Sequence, residues 1–464
     1  MRCFKLLSML LAAIAGRGIV LAADAPALKA YRASRIVVGP GNTVEDGHLL
    51  VRAELVEGVL SSGEKPPAGV EVLDLGEVLI LPGLVNPLST ISERSYRGDA
   101  GPVPSVLARE PRDARRLSAA GSVMPEEAVW RRLGRSGYAA FGWLPDAGAF
   151  LAGQAAVLRP GRGKTGDKPR GELVVKEGAY LLLGYEAGKR WRDVAEGELK
   201  KAADTITKEK EAVKKAEEKK AEEKKSAEVK SEEKKSESKP EEKKGEEKKA
   251  PAPPAAQPPP QAPAAPPRAP DPLVLALKGE LPLFIRVRTP ASLDHFFRFF
   301  DALSVKPSFV LVTAPQPADC VEKLVRRKDQ LRGVVIEPRV EAFRESSVLV
   351  ASARLFHENA IPVAFVPLAD TLEGHERMFF FLAEMVKCGV PQFDTLASVT
   401  TVPARMLGLE GKLGTLEKGA FASFCVYRGE PLSGSARLLR AFIDGEEVFS
   451  DDPTTSSLSG EALK

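Results

Sequence analysis

The stretch Val78-Leu79-Ile80-Leu81-Pro82-Gly83-Leu84-Val85-Asn86 divides the chain into two kinds of sequence. Before it, residues 30–81 hold short apolar or alternating runs such as Ser34-Arg35-Ile36-Val37-Val38 and His48-Leu49-Leu50-Val51-Arg52, separated by turns that contain glycine. These are strand and hairpin signals, because successive side chains on a strand point to opposite faces and glycine supplies turn conformations. Similar runs, Ala422-Ser423-Phe424-Cys425-Val426-Tyr427 and Ala441-Phe442-Ile443-Asp444-Gly445, close the chain. Two strand-rich ends around a mixed centre predict one small β-domain assembled from both.

Further along, residues 281–287, 308–313, 333–336 and 361–366 read as strands, and residues 293–303, 318–328, 347–359 and 373–387 carry helical apolar spacing. Strands alternating with helices imply parallel strands joined by crossover helices. Periodicity alone leaves both a doubly wound sheet and a barrel open.

Three further motifs choose between them. Gly137-Tyr138-Ala139-Ala140 is followed by Gly153-Gln154-Ala155-Ala156-Val157-Leu158. Near the C-terminus stands Thr395-Leu396-Ala397-Ser398-Val399-Thr400-Thr401-Val402-Pro403-Ala404-Arg405-Met406-Leu407-Gly408-Leu409, then Gly414-Thr415-Leu416-Glu417-Lys418-Gly419-Ala420. With the N-terminal run Val72-Leu73-Asp74-Leu75-Gly76 leading into Leu81-Pro82-Gly83, this order resembles the amidohydrolase superfamily, in its imidazolonepropionase-like branch. The resemblance implies an α/β fold: a (β/α)8 TIM-like barrel with a small β-sandwich domain built from both chain ends, and any site at the C-terminal ends of the strands. It also implies hydrolysis assisted by zinc or another divalent metal.

The same resemblance locates the metal ligands, and each position holds another residue. The His-x-His pair expected after the first barrel strand falls on Leu88 and Thr90, a second histidine pair on Arg286 and Arg288, a further ligand on Thr313, and an aspartate near Leu368, with Asp370 two places late. Leucine offers no lone pair, and two arginines repel a cation, so the metal-activated water loses its support. Arg286 and Arg288 alternate by two and are expected to face the barrel interior, where they suit an anionic carboxylate or phosphate. Pairing with a carboxylate such as Glu337 is the plainer reading.

No other pattern rebuilds a site. His48, His295, His357 and His375 form no His-x-His pair, and His357 and His375 fall on predicted helices, where surface or capping roles are expected. Gly161-Arg162-Gly163-Lys164-Thr165 is rejected as a phosphate loop, because Leu158 replaces the first glycine and Pro169 follows where a helix must run.

Arg2 and Lys5 ahead of an apolar run over residues 6–15, with Val20-Leu21-Ala22 beyond it, read as a signal peptide and predict a secreted protein, periplasmic or extracellular. Of four cysteines only Cys320, Cys388 and Cys425 lie outside that segment, which leaves room for one disulfide of unreadable pairing. A net charge of +4 over 464 residues, without a basic cluster interleaved with aromatics, argues against nucleic acid.

The expected organisation is a signal peptide over 1–23, β-sandwich over 24–81, barrel over 82–196, a charged low-complexity insert over 197–270, barrel again over 271–405, β-sandwich over 406–450 and a tail over 451–464. The insert is Lys/Glu-rich, then Pro/Ala-rich, with nearly balanced charge and few large apolar side chains after Val213. Its charge pairs can support a solvated helix, but it is expected as a disordered or extended region. It reads as a tolerated surface insertion, or else as a spacer reaching a cell-envelope partner.

The leading expectation is therefore an exported amidohydrolase-related pseudoenzyme that needs no metal and acts in binding or scaffolding, with a small-molecule or anionic ligand. The alternative is an active hydrolase on non-peptide C–N bonds with relocated ligands or no metal. The substrate, the catalytic residues and the oligomeric state are not legible.

Overall fold

A computed structural model describes residues 27–91, 113–123, 128–144, 150–160, 173–185, 188–233, 269–313, 317–342, 347–434 and 436–451. The segment expected as a signal peptide, residues 234–268 of the insert, the run at 161–165 and the tail beyond Asp451 lie outside the described residues.

Both chain ends build one sheet. Strands β1 (Leu28–Gly39), β2 (Asn42–Arg52), β3 (Leu55–Leu60), β4 (Glu71–Asp74) and β5 (Leu79–Pro82) join β18 (Phe424–Arg428), β19 (Arg437–Ile443) and β20 (Glu446–Ser450). The order is β20-β19-β18-β5-β1-β2-β3, with β4 on the edge of β1. Strand β5 lies parallel to β1 and antiparallel to β18, Leu81 opposite Cys425. Its inner face is aromatic: Phe424 stacks on Phe442 at 4.4 Å and Tyr31 meets both rings edge-on at 5.2 Å. Such pairs add about 0.5–1.5 kcal/mol beyond their buried area. The expected β-sandwich is thus one continuous eight-stranded sheet.

Gly83 carries the chain from that sheet into the second layer. A Cβ there would lie 2.5 Å from the Cβ of Ala139, so only glycine passes. Beyond it, β6 (Leu84–Ser89) runs parallel to β7 (Tyr138–Trp143). A second parallel set comprises β11 (Leu181–Tyr185), β12 (Leu283–Val287), β13 (Phe309–Thr313), β14 (Leu331–Ile336) and β17 (Val363–Phe365). The predicted strands at 281–287, 308–313, 333–336 and 361–366 are these last four.

The intervening stretch departs from a plain βα repeat. Only residues 144–150 separate β7 from β8 (Leu151–Gln154), short of the dozen that a parallel crossover needs, and β9 (Ala156–Leu158) follows directly after Ala155. Strand β9 therefore turns back antiparallel to β7, with β10 (Val174–Lys176) beyond it, and β8 covers the edge of β11. Among the described residues this gives a four-stranded sheet, β10-β9-β7-β6, and a six-stranded one, β17-β14-β13-β12-β11-β8, rather than a single closed ring of eight. The turn Ser398-Val399 bridges them: Val85 N donates to Val399 O (2.8 Å) and Phe365 N to Ser398 O (2.9 Å). Strands β15 (Val340–Ala342) and β16 (Leu349–Ala351) form a separate hairpin, so the helix expected over 347–359 is shorter, Ser352–Glu358.

The helices start where capping chemistry allows. Thr289 caps Pro290–Asp301, with proline at its first position, and Asp271 caps Pro272–Lys278 likewise. The first buries Phe296 and Phe300 against Phe309 of β13. Each such ring contributes about 1.5–3 kcal/mol by burial.

The expected insert is structured at its start. One helix runs Lys189–Glu233, beginning before residue 197. Ala195, Leu199, Ala202, Ala203 and Ile206 are buried in the core, a spacing of three and four that gives one apolar face. The first turns therefore belong to the folded body, contrary to the expected disordered or extended region. Arg115 ties this helix down: its guanidinium bonds Asp113, Glu198 on the helix, and Asp271 (3.1 Å), which caps the next one. Lys278 pairs with Glu209 at 2.6 Å further along. Helices 189–233 and 272–278 thus run side by side in the same direction.

Cys320, Cys388 and Cys425 are all free thiols, so the disulfide that the sequence left room for is not formed among them. No helix among the described residues is long and apolar enough to cross a membrane.

Candidate functional site

A buried polar cluster stands at the C-terminal end of β6. Asn86 and Ser89 are fully buried there. Asn86 Oδ1 accepts from Leu88 N (3.0 Å), which leaves its amide nitrogen to donate to His375 Nε2 at 3.1 Å. His375 lies on the short helix Leu372–Glu376, started by Thr371, whose hydroxyl accepts from Gly374 N (3.2 Å). Its other ring nitrogen, Nδ1, is 2.6 Å from the carbonyl of Thr371. A carbonyl only accepts, so Nδ1 carries the proton and Nε2 offers its lone pair to Asn86. Tyr138 meets the ring edge-on at 4.9 Å and Phe141 lies 5.2 Å away. Burial among these rings pushes the pKa of His375 below its ordinary value, against the opposite pull of Asp370.

Asp370 completes the cluster from the loop after β17. Its carboxylate accepts from Ser89 Oγ (2.9 Å), Thr90 Oγ1 (3.0 Å) and Thr90 N, and one oxygen lies 3.7 Å from His375 Nε2. Ser89 Oγ in turn accepts from Ile91 N (3.2 Å), and Trp143 Nε1 donates to Ile91 O (2.8 Å). Across the interior, Tyr180 stacks on Phe284 at 4.0 Å and its hydroxyl donates to Gly142 O (3.2 Å). Burial holds its phenol well above the usual range; the charge of Asp370 adds to that and the charge of Arg286 opposes it. Asp370 and Arg286 therefore act on one phenol.

Each position singled out in the sequence can now be placed. Leu88 is half-buried and Thr90 is exposed, with its amide and hydroxyl spent on Asp370. Leu368 is half-buried, and the carboxylate that reaches β6 is Asp370, two residues on. Thr313 is buried at the end of β13 and bonds the thiol of Cys320, which burial pushes up to about 11. Arg286 is half-buried, but Arg288 is exposed because β12 ends at Val287, so the expected inward pair is split. Glu337 pairs instead with Arg339. His357 sits on the surface 3.4 Å from Asp394, whereas His375, expected in a surface or capping role, is buried at the centre of the cluster.

The donor set does not fit a divalent cation. Two threonine hydroxyls, two arginines and two leucines occupy the positions that the sequence resemblance assigns to metal ligands, and among the described residues no three His, Cys, Asp or Glu side chains gather as a metal site requires. The oxygens of Asp370 and the lone pair of His375 are already engaged. Nor do these three side chains form a nucleophilic relay: Ser89 and His375 both face Asp370, whereas a relay needs the imidazole between hydroxyl and carboxylate.

The chain has the fold of the amidohydrolases, in keeping with the resemblance carried by its motifs. An amidohydrolase from Thermotoga maritima MSB8 superposes with a TM-score of 0.61 at 18% identity, over 91% of this chain and 99% of that one. Molinate hydrolase aligns over 91% of this chain and 95% of its own, with a TM-score of 0.48 and 12% identity. In sequence, amidohydrolase tasK of Hapsidospora irregularis is 41% identical over 69 residues, which is 15% of this chain and 7% of that protein. No protein-family profile matches the chain.

Proposed function

We propose that this protein is an amidohydrolase relative that has given up metal-dependent hydrolysis and uses its strand ends for binding or scaffolding. On this reading the four-stranded and six-stranded sheets are the halves of a (β/α)8 barrel, opened where β8 and β9 turn back, and the eight-stranded sheet is the companion β-domain. The N-terminal 23 residues are taken as an export signal, which puts the protein outside the cytoplasm.

One observation carries the reading. The carboxylate nearest the expected ligand positions, Asp370, spends its oxygens on Ser89 and Thr90, and so ties the loop after β17 to the end of β6. Groups that would hold and activate a water elsewhere serve here as a brace. With the lone pair of His375 given to Asn86, the imidazole and the Asp370 carboxylate both have partners within the fold.

The test is the metal content of the purified chain after incubation with excess zinc and removal of loose ions, followed by a screen of amide, cyclic amide and amidine substrates. The reading predicts no stoichiometric metal and no turnover. Retained zinc with chelator-sensitive hydrolysis would overturn it.

A further inference from the structure

The eight-stranded sheet carries a cleft of 440 Å³, away from the strand-end cluster. That is within the range of small-molecule sites, roughly 300–1,000 Å³. Its floor is apolar, made by Leu75, Val78, Val426 and Leu439, and its rim holds Arg428, Arg437 and Arg440.

A bulge assembles that rim. Val426 pairs with Arg440 and Tyr427 with Leu438, so Leu439 is an extra residue on β19. A bulge re-aims the side chains around it. Here the neighbours Leu439 and Arg440 both line the cleft, and Arg437 stands opposite Arg428 in the last pair of the ladder. Asp451 N donates to Leu439 O at 2.8 Å and pins the bulge.

The charges on the rim are not balanced. Arg437 bonds Asp451 at 2.6 Å, and Arg440 reaches Glu447 only at 3.6 Å. The other carboxylate in the cleft, Asp74, is held by Arg32 at 3.1 Å. Arg428 is exposed, and its guanidinium makes no hydrogen bond or ion pair among the described residues. Three guanidinium groups over an apolar floor suit an anionic head with an apolar body, because a guanidinium bonds carboxylate or phosphate through two parallel N–H groups.

We propose that this cleft binds an organic anion whose carboxylate or phosphate head sits on Arg428, flanked by Arg437 and Arg440, and whose apolar body covers Val426 and Leu439. The site is separate from the Asp370 cluster and independent of whether the strand ends hydrolyse anything.

The experiment is calorimetric titration of the full chain with phenyl phosphate, benzoate, inorganic phosphate and phenol. Saturable one-site binding of phenyl phosphate or benzoate is expected, with inorganic phosphate and phenol weaker by about tenfold or more because each lacks one half of the ligand. Arg428→Gln and Arg440→Gln should each weaken the aryl anion by about tenfold with unchanged thermal unfolding, and Arg298→Gln, on a distant helix, should change nothing. Vesicles with and without phosphatidylglycerol form the last arm: capture lost with Arg428→Gln identifies the head as a lipid phosphate, and no capture beside aryl-anion binding identifies a soluble ligand. The proposal is overturned if neither aryl anion nor vesicle binds saturably, or if binding survives both arginine substitutions.

Discussion

His375 accepts a hydrogen bond from Asn86, 289 positions away in the chain, while its carboxylate neighbour Asp370 holds the residues just beyond Asn86 on the same strand end. The loop after β17 and the end of β6 are thus joined by two polar contacts side by side, one neutral and one charged.

The neutral contact sets a pH dependence. His375 has an ordinary pKa of 6.5 when unfolded and a lower one when folded, because burial disfavours its charged form. The unfolded chain therefore binds the extra proton first, so the stability from this residue is complete above about pH 6.5 and is lost as pH falls through the folded value. Thermal unfolding between pH 5 and 8 should show this loss, and His375→Gln should flatten the slope. An unchanged slope would place the titration elsewhere.

The charged contact should be the stronger. Asp370→Asn removes the charge and turns an N–H group toward the donors of Ser89 and Thr90. A loss of about 2 kcal/mol is expected, read as a lower urea midpoint at constant slope.

Gly374 sets how closely the two contacts can approach. A Cβ at that position would lie 2.0 Å from the carbonyl oxygen of Ala369. Gly374→Ala must push the helix bearing His375 away from the loop bearing Asp370, at a cost of about 1–3 kcal/mol. If calorimetry finds the variant as stable as the parent, the packing of this loop is looser than the contact distance implies.

Arg115 should be a sensitive charged residue of the fold. Its side chain is only 9% exposed and faces Asp113, Glu198 and Asp271. Arg115→Met leaves three partly exposed carboxylates facing one another and should cost about 1–3 kcal/mol, visible in denaturant unfolding and as faster amide exchange over residues 189–206.

The sequence showed the layout more clearly than the site. The motif around Leu81-Pro82-Gly83 and the run at 395–409 were legible because close packing constrains them: Gly83 passes Ala139, and Ser398-Val399 bridges β6 and β17. That Leu88 and Thr90 fall at the end of β6 and Thr313 at the end of β13 was legible for the same reason, since their register follows from the strands. His375 was missed because its partners Asn86 and Asp370 are defined by tertiary packing, and a histidine on a five-residue helix looks like a cap. The only local hint was Asp370-Thr371 followed by Gly374-His375, where a capping threonine fixes the turn that aims the ring. The antiparallel return of β8 and β9 had a plainer sign, the short connection over residues 144–150 after β7, which is too short for a crossover helix.

The guanidinium of Arg115 also decides what kind of attachment the long charged excursion is. Residues on both flanks, Glu198 before it and Asp271 after it, meet at that one group, so the excursion leaves and re-enters through a closed base. From such a base, added or removed residues change little besides chain entropy, about 0.6 kcal/mol for each doubling of length. The span can be shortened without reaching the core provided that enough chain remains to run back along the parallel helices, roughly 25 Å at 1.5 Å per residue for the turns between Glu198 and Val213. A linker of about twelve glycines and serines in place of residues 216–266 covers that distance, and the unfolding temperature should hold. The same position would accept a whole foreign domain, which makes this protein a natural carrier for grafted cargo.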